Sequence, residues 1–227
     1  MDARTLVITG PFAAGKTLAC TLLSEELRAR GQAVRTLSLD EIGHQLLTDI
    51  RSEYVHALTD AFGDDILVSV RDEELASADA NRPGGSKGVP TRRGVMRVDR
   101  GKLARRAFAS AEATARLNAL THPAILARAR ALADAARAMG ERVIIESPLP
   151  MSGQFEDALL WTISAPQELR LERACARGVA EMDVLTRFSA QPADTMYTAE
   201  AERVFPNVGT KDELREALRD AACDGDG

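Results

Sequence analysis

Gly10-Pro-Phe-Ala-Ala-Gly15-Lys16-Thr17 is the stretch on which the reading of this chain turns. It fits G-x-x-x-x-G-K-[S/T]. A β-rich run, Arg4–Thr9, precedes it, and a helical pattern from Thr17 to Arg30 follows, with Leu18, Leu22 and Leu27 at helical spacing and Gly31 as the stop. That context gives the motif its meaning. Glycines let the backbone curl until its N–H groups face inward as an anion nest, and the helix N-terminus adds partial positive charge. Lys16 is placed to reach the outer phosphates of a nucleotide, and the Thr17 hydroxyl to ligate Mg²⁺. Gly10, Ala13, Ala14, Gly15, Lys16 and Thr17 are therefore the candidate nucleotide-binding residues. Phe12 and Ala13 make the loop unusually apolar.

Ala33–Leu39 reads as a second strand, so strand, glycine turn, helix and strand follow within 40 residues. This βαβ opening predicts an α/β fold, a parallel sheet with helices on both faces. Glu41–Leu47 and Glu53–Phe62 read as helices. Residues 81–101 carry five glycines, two prolines, six basic residues and one acid, and read as a loop. Lys102–Leu120 and Thr121–Met139 read as two Ala/Leu/Arg-rich helices, with Pro123 in the first turn of the second. Arg142–Glu146, Ala158–Ser164 and Glu202–Asn207 read as further strands. Pro166–Arg177, Val179–Ser189 and Lys211–Ala222 read as helices.

Composition narrows the function classes. The 227 residues are enough for one large domain with a substantial core, 45% are hydrophobic and 28% charged. No apolar run approaches the length of a membrane span, and Met1–Arg4 leads into a strand without a signal-peptide layout. A net charge of −5 and a pI near 5.4 argue against a bulk nucleic-acid footprint. Cys20, Cys175 and Cys223 are far apart and form no C-x-x-C, which fits a reducing cytoplasm and neither a disulfide framework nor a zinc site.

Asp40 ends the second strand, which is expected beside the first strand and its phosphate loop. Ligands of open α/β sheets sit beyond the carboxyl ends of the strands, so Asp40 is a candidate base toward a substrate hydroxyl. Position alone serves equally well for an N-cap of the next helix. Arg173 and Arg177 lie one turn apart on one helix face and read either as phosphate-closing arginines or as solvated ones. The basic loop at 81–101 reads as a site for an anionic acceptor or as a solvated insertion.

With these residues in hand, the chain resembles the dephospho-coenzyme A kinases, small P-loop kinases of the nucleoside-monophosphate-kinase-like group. The likeness runs from about Leu6 to Leu218. It rests on the phosphate loop together with Leu117-Asn118-Ala-Leu-Thr-His122-Pro123-x-Ile125. Asp40-Glu-Ile-Gly-His-Gln45, Phe62-Gly63, Asp99–Phe108, Pro148-Leu149, Gln191 and Asn207-x-Gly209 add to it. The resemblance implies a three-layer P-loop NTPase fold with a helical substrate-binding region and a small lid. It places the core at 1–40, 140–176 and 200–222, the substrate region at 41–139 and the lid at 177–198. It implies ATP, Mg²⁺ and transfer to the ribose 3′-hydroxyl of dephospho-coenzyme A, the last step of coenzyme A synthesis. It further implies Asp40 as the base, Lys16 and Arg177 as catalytic partners, Asn207 and Gly209 beside adenine, and Asn118, His122 and Pro123 in the substrate region.

The chain departs from the family pattern at Ser38, where a first acid is expected, at Ser152, where a Glu is expected, and at Gly178 after Arg177. The segment Gln191-Pro-Ala-Asp-Thr-Met-Tyr197 lacks the usual basic positions. A uridine-kinase-like strand at Ala33–Asp40 keeps a nucleoside acceptor open, and the missing bases keep a nucleotide-binding regulator open.

Overall fold

In the computed structural model, residues 5–70, 95–150, 154–155, 158–199 and 201–224 are described. The chain divides into two compact units, residues 1–41 with 126–227, and residues 42–125.

The first unit is built on a five-stranded parallel sheet. Its strands are β1 (Thr5–Thr9), β2 (Val34–Ser38), β5 (Arg142–Glu146), β6 (Leu159–Ser164) and β7 (Arg203–Pro206), in the order β2-β5-β1-β6-β7. Flanking helices shield the sheet on its faces, which is why β1, β5 and β6 are near-continuous apolar runs rather than alternating ones. Ile8, Ile144 and Ile163 of three neighbouring strands pack with Leu22 and Leu23 of α1 (Lys16–Ala29) and Leu218 of α9 (Lys211–Asp224). Arg215 of α9 ties that pair by bonding Glu25 at 2.8 Å and Glu26 at 3.1 Å. α2 (Leu39–Leu46) follows β2, and α6 (Gln167–Ala176), α7 (Glu181–Ala190) and α8 (Asp194–Thr198) join β6 to β7.

The second unit holds α3 (Glu53–Phe62), a hairpin of β3 (Leu67–Val70) and β4 (Val95–Val98), and α4 (Arg100–Ala107). Val55, Leu58, Phe62, Ile66, Val98, Leu103 and Ala107 form its core. The Ser52 hydroxyl caps α3 by accepting from Val55 N, and the Asp99 carboxylate caps α4 by accepting from Lys102 N at 3.0 Å.

Three expectations need correction. The 81–101 loop ends early: residues 95–98 are β4 and Arg100 opens α4. Four of the five glycines and both prolines lie before residue 95, and Val98 turns into the core. Arg82, Lys87, Arg92 and Arg93 lie outside the described residues, as does Ser152. Secondly, the break between the two long helices falls at residues 108–110, where the Ser110 hydroxyl accepts from Ala113 N and starts α5 (Ala111–Ala138). Pro123 therefore sits inside α5 instead of in a first turn. A proline there cannot donate to the carbonyl one turn earlier, and the alanine-rich run carries the helix past it. Thirdly, β5 lies between β1 and β2, so Asp40 follows a strand one place removed from β1.

Candidate active site

Strand β1 delivers the chain at Gly10 into a turn that only a few residues accommodate. Gly10 has φ +146°, Ala13 +62° and Gly15 +104°. A Cβ on Gly10 would stand 2.1 Å from the Ile163 carbonyl oxygen, and one on Gly15 2.2 Å from Asn207 Nδ2. Positive φ at Gly10, Ala13 and Gly15 gives the backbone curl from which anion nests are built.

Lys16 opens α1 and is folded back over the loop, where its Nζ donates to Gly10 O at 2.9 Å and Pro11 O at 3.0 Å. Burial lowers its pKa, while Glu146 and, more weakly, Asp40 raise it. The Thr17 hydroxyl donates to Glu146 Oε1 at 2.6 Å. Glu146 is the last residue of β5 and registers with Ile8 of β1 on one side and Ser38 of β2 on the other. It was not singled out from sequence. The available signal was an acid at the carboxyl end of a buried strand, two residues before Pro148-Leu149.

Asp40 stands exposed in the first turn of α2, at the same carboxyl edge of the sheet. Glu41 N donates to the Ser38 hydroxyl at 3.3 Å, so Ser38 caps the helix start and the capping alternative for Asp40 falls away.

The buried Asn207 donates from Nδ2 to Ala14 O at 2.8 Å, and its own N–H bonds Ser164 O at 2.7 Å. Its side chain thus braces the loop from β7. Gly209 leaves room for Glu213, whose carboxylate accepts from Thr210 N at 2.7 Å while Thr210 Oγ1 accepts from Glu213 N. This reciprocal capping starts α9 and holds the Glu213 pKa down. On the far side of the loop, Phe12 N donates to Gln191 Oε1 at 2.8 Å, and the Phe12 ring meets Phe188 edge-on at 6.4 Å and lies under Arg187 at 4.9 Å. The Pro148-Leu149 segment is pinned too: Tyr197 OH donates to Pro148 O at 3.0 Å and Thr9 Oγ1 to Leu149 O at 2.8 Å.

Arg177 terminates α6, is exposed, and donates from Nε to Arg173 O at 3.2 Å. Asn118 and His122 are exposed and one turn apart on α5, with Pro123 beside them, all in the 42–125 unit. Cys20 is buried, which pushes its thiol pKa up and leaves it inert. Among the described residues there is no cluster of three or more His, Cys, Asp or Glu that could hold a metal by itself, and no helix long and apolar enough to cross a membrane.

The bracing of the loop is testable. Gly15→Ala should cost about 1–3 kcal/mol in denaturant unfolding, because it combines a left-handed backbone with displacement of Asn207 from Ala14 O. Nucleotide binding should be lost with it.

Residues 90–213 match the family model CoaE, dephospho-CoA kinase. The dephospho-CoA kinase of Deinococcus radiodurans is 42% identical over 130 residues, covering 55% of this chain and 62% of that protein. The dephospho-CoA kinase of Moorella thermoacetica is 30% identical over 220 residues, covering 94% of this chain and 88% of the relative. The matches to the Deinococcus protein and to two Corynebacterium dephospho-CoA kinases span 62%, 64% and 64% of those relatives' lengths. Among solved structures, TT1252 from Thermus thermophilus superposes with a TM-score of 0.63 at 23% identity, covering 97% of both chains. Dephospho-CoA kinase from Campylobacter jejuni gives 0.55 at 17% identity, covering 97% of this chain and 96% of the other. At those identities the likeness is one of fold.

Proposed function

Since the chain belongs to the dephospho-CoA kinase family, we propose that it transfers the γ-phosphoryl group of ATP to the ribose 3′-hydroxyl of dephospho-coenzyme A. The observation that carries this is the loop itself: a positive-φ turn that opens α1, with Lys16, Thr17, Glu146 and Asp40 gathered at one edge of the sheet.

Each residue has a task that follows from its place. The loop backbone holds the phosphates. Lys16 exchanges the Gly10 and Pro11 carbonyls for β- and γ-phosphate oxygens, where its charge offsets the charge that grows during transfer. Asp40 accepts the proton of the acceptor hydroxyl as that oxygen bonds to the γ-phosphorus. The bond to the bridging oxygen breaks and ADP leaves. The Thr17 hydroxyl and Glu146 carboxylate, 2.6 Å apart, are hard oxygen donors of the kind Mg²⁺ takes when water and phosphate complete its shell. Bound there with the nucleotide, Mg²⁺ supplies charge neutralisation at the β- and γ-phosphates. Asn207 and Gly209 serve the nucleotide by keeping the loop and the start of α9 in place. Asn118, His122 and Pro123 of α5 are assigned to acceptor binding by the family resemblance.

Arg177 at the end of α6 closes toward the phosphates. Arg177→Ala is expected to lower kcat, and Arg173→Ala to lower it less. If both leave kcat/KM within twofold of the parent, about 0.4 kcal/mol, that assignment fails.

The function is tested by an ATP-consumption screen of the whole chain, with dephospho-coenzyme A and a panel of nucleosides as acceptors. Turnover with dephospho-coenzyme A is expected. Turnover with nucleosides alone would reject the acceptor, and nucleotide binding without turnover on any acceptor would reject the kinase.

A further inference from the structure

Arg170 sits early in α6, and only 3% of its side chain is exposed. Among the described residues it pairs from Nη2 with Asp194 Oδ2 at 2.7 Å, and its buried Nε finds no hydrogen-bond partner there. Its guanidinium lies 4.9 Å from the centre of the Phe188 ring, and Phe188 meets Phe12 of the phosphate loop. Gln191, between Phe188 and Asp194 in the chain, accepts the Phe12 N–H. A fully buried arginine thus stands in the wall against which the loop rests. Burial is the main cause of the lowered Lys16 pKa, and Arg170 adds a small contribution in the same direction.

A guanidinium is an expensive pillar. Burying it with an unpaired N–H costs free energy that an apolar side chain of similar volume would avoid. Its partner Asp194 is 59% exposed, so water screens the carboxylate more than the arginine. The segment that carries Asp194, residues 191–197, contains no basic residue.

The geometry points to Arg170 as a phosphate-binding arginine of this chain, a buried positive charge that acts on the outer phosphates of the bound nucleotide in place of the bases absent from 191–197, with Asp194 as its counter-ion. This rests on the kinase reading above. Asp194 restrains Arg170 and weakens its pull, so the two residues have opposite effects on phosphate affinity even though they form one ion pair.

The test is calorimetric binding of ATP, ADP and AMP to the whole chain and to Arg170→Gln, Arg170→Lys, Asp194→Asn and the Arg170→Gln/Asp194→Asn double variant. Arg170→Gln should weaken ATP about 10- to 100-fold, ADP less and AMP least, the range expected for a lost charge-assisted contact. Arg170→Lys should fall between. Asp194→Asn should tighten ATP several-fold, and that gain should vanish when Arg170 is also replaced. A structural pillar gives another pattern: Arg170→Gln weakens all three nucleotides alike, and Asp194→Asn weakens ATP instead of tightening it. Either result overturns the inference while the kinase reading stands. Failure of the parent chain to bind ATP overturns both. Where Arg170→Gln does not fold, the sign of the Asp194→Asn effect decides.

Discussion

Lys16→Ala is expected to leave a folded chain whose phosphoryl transfer falls by on the order of 10²–10³-fold or more. The ammonium is the one cation whose Nζ already bonds the loop backbone, at Gly10 O and Pro11 O, among the described residues. Charge on the transferring group grows at that place, and alanine leaves nothing to meet it. Folding should not suffer. Burial lowers the Lys16 pKa, so the charged form is held against its own solvation, a cost that alanine removes. The thermal midpoint should stay level or rise while kcat collapses. An active Lys16→Ala chain would show that the loop is not the phosphate site.

Asp40→Asn should keep nucleotide affinity and lose on the order of 10²–10⁴-fold in kcat, the range for general acid–base catalysis. Asparagine keeps the shape and the hydrogen-bonding reach but lacks the basicity. A capping role would predict the reverse, near-normal activity, because asparagine caps as well as aspartate. The structure already gives the capping bond to Ser38. The loss should appear in kcat with acceptor saturating, since Asp40 acts only once a hydroxyl is present. Near-parental turnover under that condition would remove Asp40 from the mechanism.

The phosphate loop was legible from sequence because its signal is local, whereas the position of Asp40 served a base and an N-cap equally and only the family resemblance favoured the base. The motif around Lys16 carries its own context of strand, turn and helix. The long apolar runs at Thr5–Thr9 and Arg142–Glu146 announce buried parallel strands, and the helical spacing of Leu18, Leu22 and Leu27 announces α1. What stayed hidden depends on distance along the chain. Thr17 meets Glu146 across 129 positions, and no local pattern reveals that β5 inserts between β1 and β2. Arg170 looks like any helix arginine until its neighbours Phe188 and Asp194 close over it. Leu67–Val70 is too short to read as a strand without the partner it finds in Val95–Val98. Pro123 misled for a physical reason: proline favours a first turn, yet the alanine-rich stretch around it is strong enough to continue.

The central claim is a chemical one, transfer from ATP to one hydroxyl, and the product answers it. The purified chain, incubated with Mg²⁺, γ-labelled ATP and dephospho-coenzyme A, should move the label to the acceptor as a ribose 3′-phosphomonoester, read by mass and phosphorus NMR. The same incubation with Lys16→Ala should leave the label on ATP. Label recovered only as inorganic phosphate, or on the acceptor equally with and without Lys16, would contradict the account.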